Sequence, residues 1–118
     1  MQTLTTILIG IVALLHIYFL VLEMFLWDKP FGRKTFGLNA DFAKQSKALA
    51  ANQGLYNGFL AAGLIWGLIL DENGFSIKVF FLSCVVIAGI FGGLTVGKKI
   101  LFIQALPAAI ALILVLLE

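Results

Sequence analysis

The hydrophobic residues of this chain fall into four long runs, and its polar residues collect between them. The runs cover about residues 4–27, 48–70, 77–97 and 100–117. A helix that crosses a bilayer core needs about 20 mostly apolar residues, and each run comes close to that length. The pattern predicts an all-α integral membrane protein, a four-transmembrane-helix bundle in a single domain over residues 1–118. Residues 28–47 form the one substantial loop. Pro30 and Gly32 are expected to stop the first helix there. Asn39 or Asp41 is expected to cap a short amphipathic helix from Phe42 to Lys47 that leads into the second span. Phe31, Phe36, Leu38 and Phe42 among lysines fit either a loop lying on the membrane surface or an ordinary solvated connection. Asp71-Glu72-Asn73-Gly74 and Lys98-Lys99 read as tight turns, and Pro107 should kink the fourth helix.

Composition agrees with this reading. The chain is 62% hydrophobic and 12% charged, against about 45–50% and about 25% in soluble domains. A soluble fold of this size cannot hide so much apolar surface. The net charge of +2 is too small to suggest a nucleic-acid partner. Met1-Gln2-Thr3-Leu4 lacks a positive n-region, and the first run is too long for a signal sequence, so it is expected to be a retained membrane helix. Cys84 lies alone in an apolar run, which excludes an internal disulfide and favours a core role. Lys29, Arg33, Lys34, Lys44, Lys47, Lys98 and Lys99 all fall in two loops on one side, with Lys78 alone opposite. The positive-inside rule then predicts cytoplasmic loops at 28–47 and 98–99 and both termini outside. In a bacterium this is a multi-pass plasma (inner) membrane protein. Trp27 sits where an interfacial aromatic anchor belongs.

The polar residues inside the runs are the candidate chemistry. The stretch from Ala50 to Gly58 opens the second run, yet it holds Asn52, Gln53, Tyr56 and Asn57. Counted inward at about 1.5 Å per residue, Glu23, Asn52 and Gln104 each lie roughly 6 Å inside a helix end. Thr95 falls near the same level, and His16 and Asn57 lie deeper. Polar groups in hydrocarbon must find partners, so they face a bundle interior or a cavity. Glu23 is the one acid within a run. It either serves a site or pairs with Lys29 or another loop lysine. His16 lies two turns away on the same helical face, as a proton relay or a buried histidine bonded to a backbone carbonyl. Asn52 and Tyr56 share one face of the second helix, and Gln53 and Asn57 share another. Gly63 and Gly67 continue the Asn52 stripe, which would give a glycine-floored groove with a polar mouth. The same amides would also serve as glue between helices, and Gln104 would serve to bond carbonyls freed at Pro107. Gly89, Gly93 and Gly97 form a further small-residue stripe suited to close helix packing. A lone His with a lone Glu is not a metal site, and no cofactor motif is present.

The segments Glu23-Met24-Phe25-Leu26-Trp27, Lys29-Pro30-Phe31-Gly32-Arg33, Phe36-Gly37-Leu38 and Ala50 through Phe59 resemble a bacterial family of four-helix membrane proteins known as domain of unknown function 1304. That resemblance covers essentially the whole chain and implies class and location, with no activity attached. More distantly, the layout is similar to the membrane-associated eicosanoid and glutathione metabolism proteins, trimers that bind glutathione and lipophilic substrates between subunits. Of the polar motif opening their second helix, only Asn57 keeps its residue type here. Asn52, Gln53 and Tyr56 differ, and the arginine and acid are missing, so the thiolate-stabilising chemistry does not carry over. A homo-oligomer is expected, a trimer by this analogy or else a dimer.

Three functions compete. The first is a site for a lipophilic small molecule or lipid in the inner leaflet, with or without catalysis. Glu23 would carry a proton, Tyr56 donate a hydrogen bond, His16 relay protons, and Asn52, Gln53, Asn57 and Gln104 hold the ligand. The second is a small proton-coupled transporter. The strong basic asymmetry argues against it, because small multidrug transporters often insert both ways. The third is a non-catalytic membrane scaffold or subunit.

Overall fold

A computed structural model describes residues 2–118, and Met1 lies outside them. Every regular element among those residues is helical: α1 (Gln2–Met24), α2 (Pro30–Phe36), α3 (Ala40–Leu70), α4 (Phe75–Thr95) and α5 (Leu106–Leu117). A single 3-10 turn, Asp71–Gly74, links α3 to α4, and a π turn, Leu101–Ala105, leads into α5. Two stretches are long and apolar enough to cross a membrane, Gln2–Met24 and Ala40–Thr95, and Leu101–Leu117 is a shorter apolar helix.

The second stretch doubles back on itself. Asp71 adopts the left-handed conformation, φ 53°, which breaks the helix and reverses the chain. At Gly74 a Cβ would lie 2.2 Å from the Gly67 carbonyl oxygen, so only glycine fits that turn. Gly63 then faces Phe81, and Gly67 faces Lys78. These pairings make α3 and α4 antiparallel. They also fill the glycine stripe with α4 side chains, so the groove expected beyond Asn52 is occupied by Phe81 and the Lys78 stem. On α4, Gly89 packs against Ala105 and Gly93 against Leu101, whereas Gly97, past the end of α4, meets nothing within 4 Å. The irregularity before Pro107 takes the form of the π turn, in which the Leu106 N–H bonds the Leu101 carbonyl. Proline has no N–H to continue an α-helical ladder, and a widened turn ahead of it adjusts the register.

The chain forms two compact units. One comprises Met1–Leu14 and Leu60–Glu118, the other Leu15–Phe59. The first has a core of Ile9, Val12, Ala13, Leu64, Leu82, Val85, Ala108, Ala111 and Val115. These residues come from α1, α3, α4 and α5, with alanines where α5 packs closely.

The second unit is built on a corner. α1 ends at Met24, and α2 begins at Pro30 rather than the chain continuing as loop. Pro30 was expected to stop a helix. It starts one instead, because a proline in the first turn has no donor to lose and its φ is already helical. Gly37, at φ 67°, closes α2 in the left-handed conformation, as helix ends commonly do. The Asn39 side chain accepts the Phe42 N–H at 2.8 Å and caps α3. The helix entered at this cap runs unbroken to Leu70, so it starts before the apolar run does. The corner is locked by side chains. Trp27 packs on Phe36 with ring centroids 5.0 Å apart, and its Nε1–H donates to Ser46 Oγ at 2.9 Å. Lys47 Nζ meets Asp28 Oδ2 at 3.1 Å. That hydrogen bond with Lys47 is the main cause holding the Asp28 carboxyl below its usual value. Trp27→Phe keeps the ring contact and removes the Ser46 bond, so we expect a loss of about 1 kcal/mol. Denaturation of Trp27→Phe, Ser46→Ala and the double variant checks this. Additive losses would show that the two residues are not coupled.

Candidate functional site

The candidate site lies in the second unit, where α1 meets α3. Its position follows from small residues. A Cβ on Gly54 would lie 2.6 Å from Met24 Cγ, 3.1 Å from Glu23 Cβ and 3.2 Å from the Leu20 carbonyl oxygen, and one on Gly58 would lie 2.7 Å from Leu20 Cδ1. Without side chains at these two positions, the last turns of α1 come up against the backbone of α3. Ala50, Gly54, Asn57 and Ala61 form the buried stripe of α3, spaced as one helical face requires.

Asn57 is the polar residue of that stripe. It is 6% exposed, and its Nδ2 donates to Glu23 Oε1 at 2.5 Å. The carboxylate accepts and the amide donates, so this is a charge-assisted contact when Glu23 is ionised. Glu23 is only half-buried, which leaves part of its carboxyl group open for other contacts. Its partner is therefore Asn57, across from α3, and not a loop lysine.

This pairing corrects the depth reading. Counting from a span start at residue 48 put Glu23 level with Asn52. α3 starts at Ala40, and the close approach sets Glu23 level with Gly54 and Asn57 instead. Asn52, Gln53 and Tyr56 point away from the stripe and are exposed, Tyr56 by 56%. Tyr56 packs beside Phe59, with centroids 6.1 Å apart. Gln53 and Asn57 were expected on one face, and the structure separates them into exposed and buried positions. His16 is fully buried and sits edge-on to Phe19 at 5.6 Å. Seven residues along α1 place it about 10 Å from Glu23 along the axis, beyond direct proton transfer. Gln104 belongs to the other unit, in the π turn. Thr95 donates its hydroxyl to the Phe91 carbonyl at 2.7 Å, so its polarity is met within its own helix.

Thr5 and Lys78, both buried, were not anticipated. Lys78, in the first unit, is 8% exposed, and its Nζ donates to the Asp71 carbonyl at 3.0 Å. It borders a hollow of about 190 Å³ lined by Gln2, Thr5, Thr6, Asp71 and Phe75 among others. The sequence signal was present, since Lys78 is a charge at the edge of an apolar run. Its burial depends on Gly67, which makes room for the stem.

The family model described as "Protein of unknown function (DUF1304)" matches residues 10–116. The chain belongs to the DUF1304 family. A relative in Lactococcus lactis subsp. lactis (strain IL1403), the uncharacterized protein YpaA, is 32% identical over 115 residues, covering 96% of this chain and 97% of its own length. The matched region of this DUF1304 member includes the corner, the Glu23–Asn57 pair and the α3 stripe. No solved structure matches the chain.

Proposed function

We propose that this protein spans a bacterial plasma membrane four times and holds a lipophilic small molecule or lipid at a polar inner-leaflet site around Glu23 and Asn57. Several features support a bilayer setting. Only 28% and 22% of the most apolar windows of the two long stretches are buried within the chain, whereas a core helix of a soluble protein is mostly buried. Leu49, Ile69, Leu94 and Val96 are each at least 74% exposed. Seven basic residues in the corner segment 28–47 and at Lys98-Lys99, against Lys78 alone elsewhere, support placing those segments in the cytoplasm and the termini outside.

The observation that carries the ligand reading is the half-buried Glu23 carboxyl bonded to the buried Asn57 amide, flanked on α3 by exposed Asn52, Gln53 and Tyr56. Polar side chains facing lipid are costly, so a ligand or a neighbouring subunit covers them. Within this reading Asn57 orients Glu23, and Glu23 carries a proton or accepts a ligand hydrogen bond. Tyr56 donates, and Asn52 and Gln53 hold the polar end of the ligand. His16 shapes the α1 wall from its buried position, and Gln104 is not used. A homo-oligomer would bring a second subunit over the exposed amides, and a trimer is the number that the distant similarity implies.

A scaffold reading is favoured by one observation, because the Glu23–Asn57 bond joins two helices. Native mass spectrometry of gently extracted wild type beside the Glu23→Gln, Asn52→Ala double variant separates the two. The expected result is a lipid or metabolite retained by the wild type and absent from an intact variant oligomer. An unliganded wild-type oligomer that dissociates in the variant would make the cluster helix glue.

A further inference from the structure

The corner of the second unit carries more positive charge than its own structure uses. Residues 28–47 contain Lys29, Arg33, Lys34, Lys44 and Lys47 against Asp28 and Asp41. Asp28 is already paired with Lys47. That leaves Lys29, Arg33, Lys34 and Lys44 with Asp41 as the one remaining acid of the segment.

Arg33 and Lys34 border an open hollow of about 390 Å³ that is also lined by Pro30, Gly37 and Leu38. Gly37 has φ 67°, and a Cβ there would meet nothing within 4 Å. The Arg33 Nε is covered and has no hydrogen-bond partner among the described residues. Covered donors are nearly always bonded, so this one is held at a cost that is relieved when the side chain turns out to an acceptor in the hollow. Arginine presents its N–H groups as a planar fork that matches phosphate oxygens. Phe31 and Phe42 on the same corner are 55% and 52% exposed. Exposed aromatic rings beside lysines suit the boundary between headgroups and acyl chains.

We propose that this corner binds the phosphate of an acidic phospholipid, with Arg33 and Lys34 on the headgroup and Phe31 and Phe42 among the acyl chains. The guanidinium of Arg33 swings from its covered position so that Nε–H and an Nη–H reach two phosphate oxygens. Lys34 supplies a second charge. The inference rests on the membrane reading above and is independent of the Glu23 site.

The test uses the full chain reconstituted in vesicles of phosphatidylcholine with a minority of phosphatidylglycerol, then re-extracted and weighed intact with its bound lipids. Wild type is expected to retain phosphatidylglycerol well above its share of the bilayer. Arg33→Gln should lower that excess about fivefold, the loss expected for one basic residue at an anionic surface. Arg33→Lys, which keeps the charge and loses the fork, should fall in between, and it serves as the readout if Arg33→Gln does not fold. Lys98→Gln should behave as wild type. Equal retention by wild type and both Arg33 variants overturns the inference, as does an equal loss in Lys98→Gln. Displacement of the lipid by inorganic phosphate at constant ionic strength overturns it too, because the site would then take the free anion. Failure of the wild type to enter phosphatidylcholine vesicles would instead defeat the membrane reading.

Discussion

Gly32→Ala will destabilise the second unit by about 3 kcal/mol or more, the upper part of the usual range for overpacking. A Cβ at this position would lie 1.8 Å from the Leu26 carbonyl oxygen and 2.5 Å from its carbon. Those are backbone atoms, and no rotamer change moves them away. The first turn of α2 would have to lift off the end of α1. The Trp27–Phe36 contact and the Trp27–Ser46 bond, both set by that seating, would loosen with it. Gly10→Ala is the matched control. Gly10 lies inside α1 with nothing within 4 Å of the added carbon, so alanine there should stabilise by about 0.5–1 kcal/mol through helix preference alone. Thermal or denaturant unfolding in detergent, followed by helical circular dichroism, reads both. Equal stability of the two variants would mean that α2 does not seat against Leu26 as described.

Asn57→Ala will cost about 1.5–3 kcal/mol if its bond to Glu23 behaves as a hydrogen bond to a charged group. It will cost nearer 0.6 kcal/mol if it behaves as an average interhelical bond in a membrane protein. The first is expected, because the donor is buried and the contact is short, 2.5 Å. Glu23→Gln leaves an oxygen able to accept from Asn57, so it should change stability by less than about 0.5 kcal/mol. The two substitutions therefore part company. Asn57→Ala tests the joint between α1 and α3, whereas Glu23→Gln tests the charge and proton that only a ligand or reaction would need. A double-mutant cycle with Glu23→Leu isolates the pair. Coupling near zero in that cycle would show that the amide and the carboxyl do not support one another. If Glu23→Gln keeps its stability and loses the retained small molecule, the ligand reading gains its strongest support.

The helical class of the fold was legible from the apolar runs, because run length and composition respond to solvent rather than to neighbours. A cap at Asn39 or Asp41 was also legible, since a cap is a local arrangement of a few consecutive residues, and the structure selects Asn39. The continuity of α3 was not. Residues 42–47 were read as a short separate helix leading into the second span, and the structure joins them to it in one unbroken helix from Ala40, tied to the corner through Trp27, Asp28 and Ser46. Pro30 was read as a stop. Proline allows either role, and the seating of Gly32 under Leu26 selects the start of α2.

The candidate site divides in a similar way. That Glu23, Asn52, Gln53, Tyr56 and Asn57 are unusual is a property of the sequence alone, since polar groups stand out in apolar runs. Which of them meet is a property of the tertiary structure. Helical period sorts residues onto faces but does not say which face is covered. The close approach at Gly54 and Gly58 covers the face that carries Asn57, joins it to Glu23, and leaves Asn52, Gln53 and Tyr56 outside. Lys78 shows the converse case. Its charge was plain in the sequence, and only the reversal at Asp71 and the space at Gly67 bury it. Local patterning determined where helices form and which residues carry chemistry, and backbone contact between segments distant in sequence decided which of those residues act together.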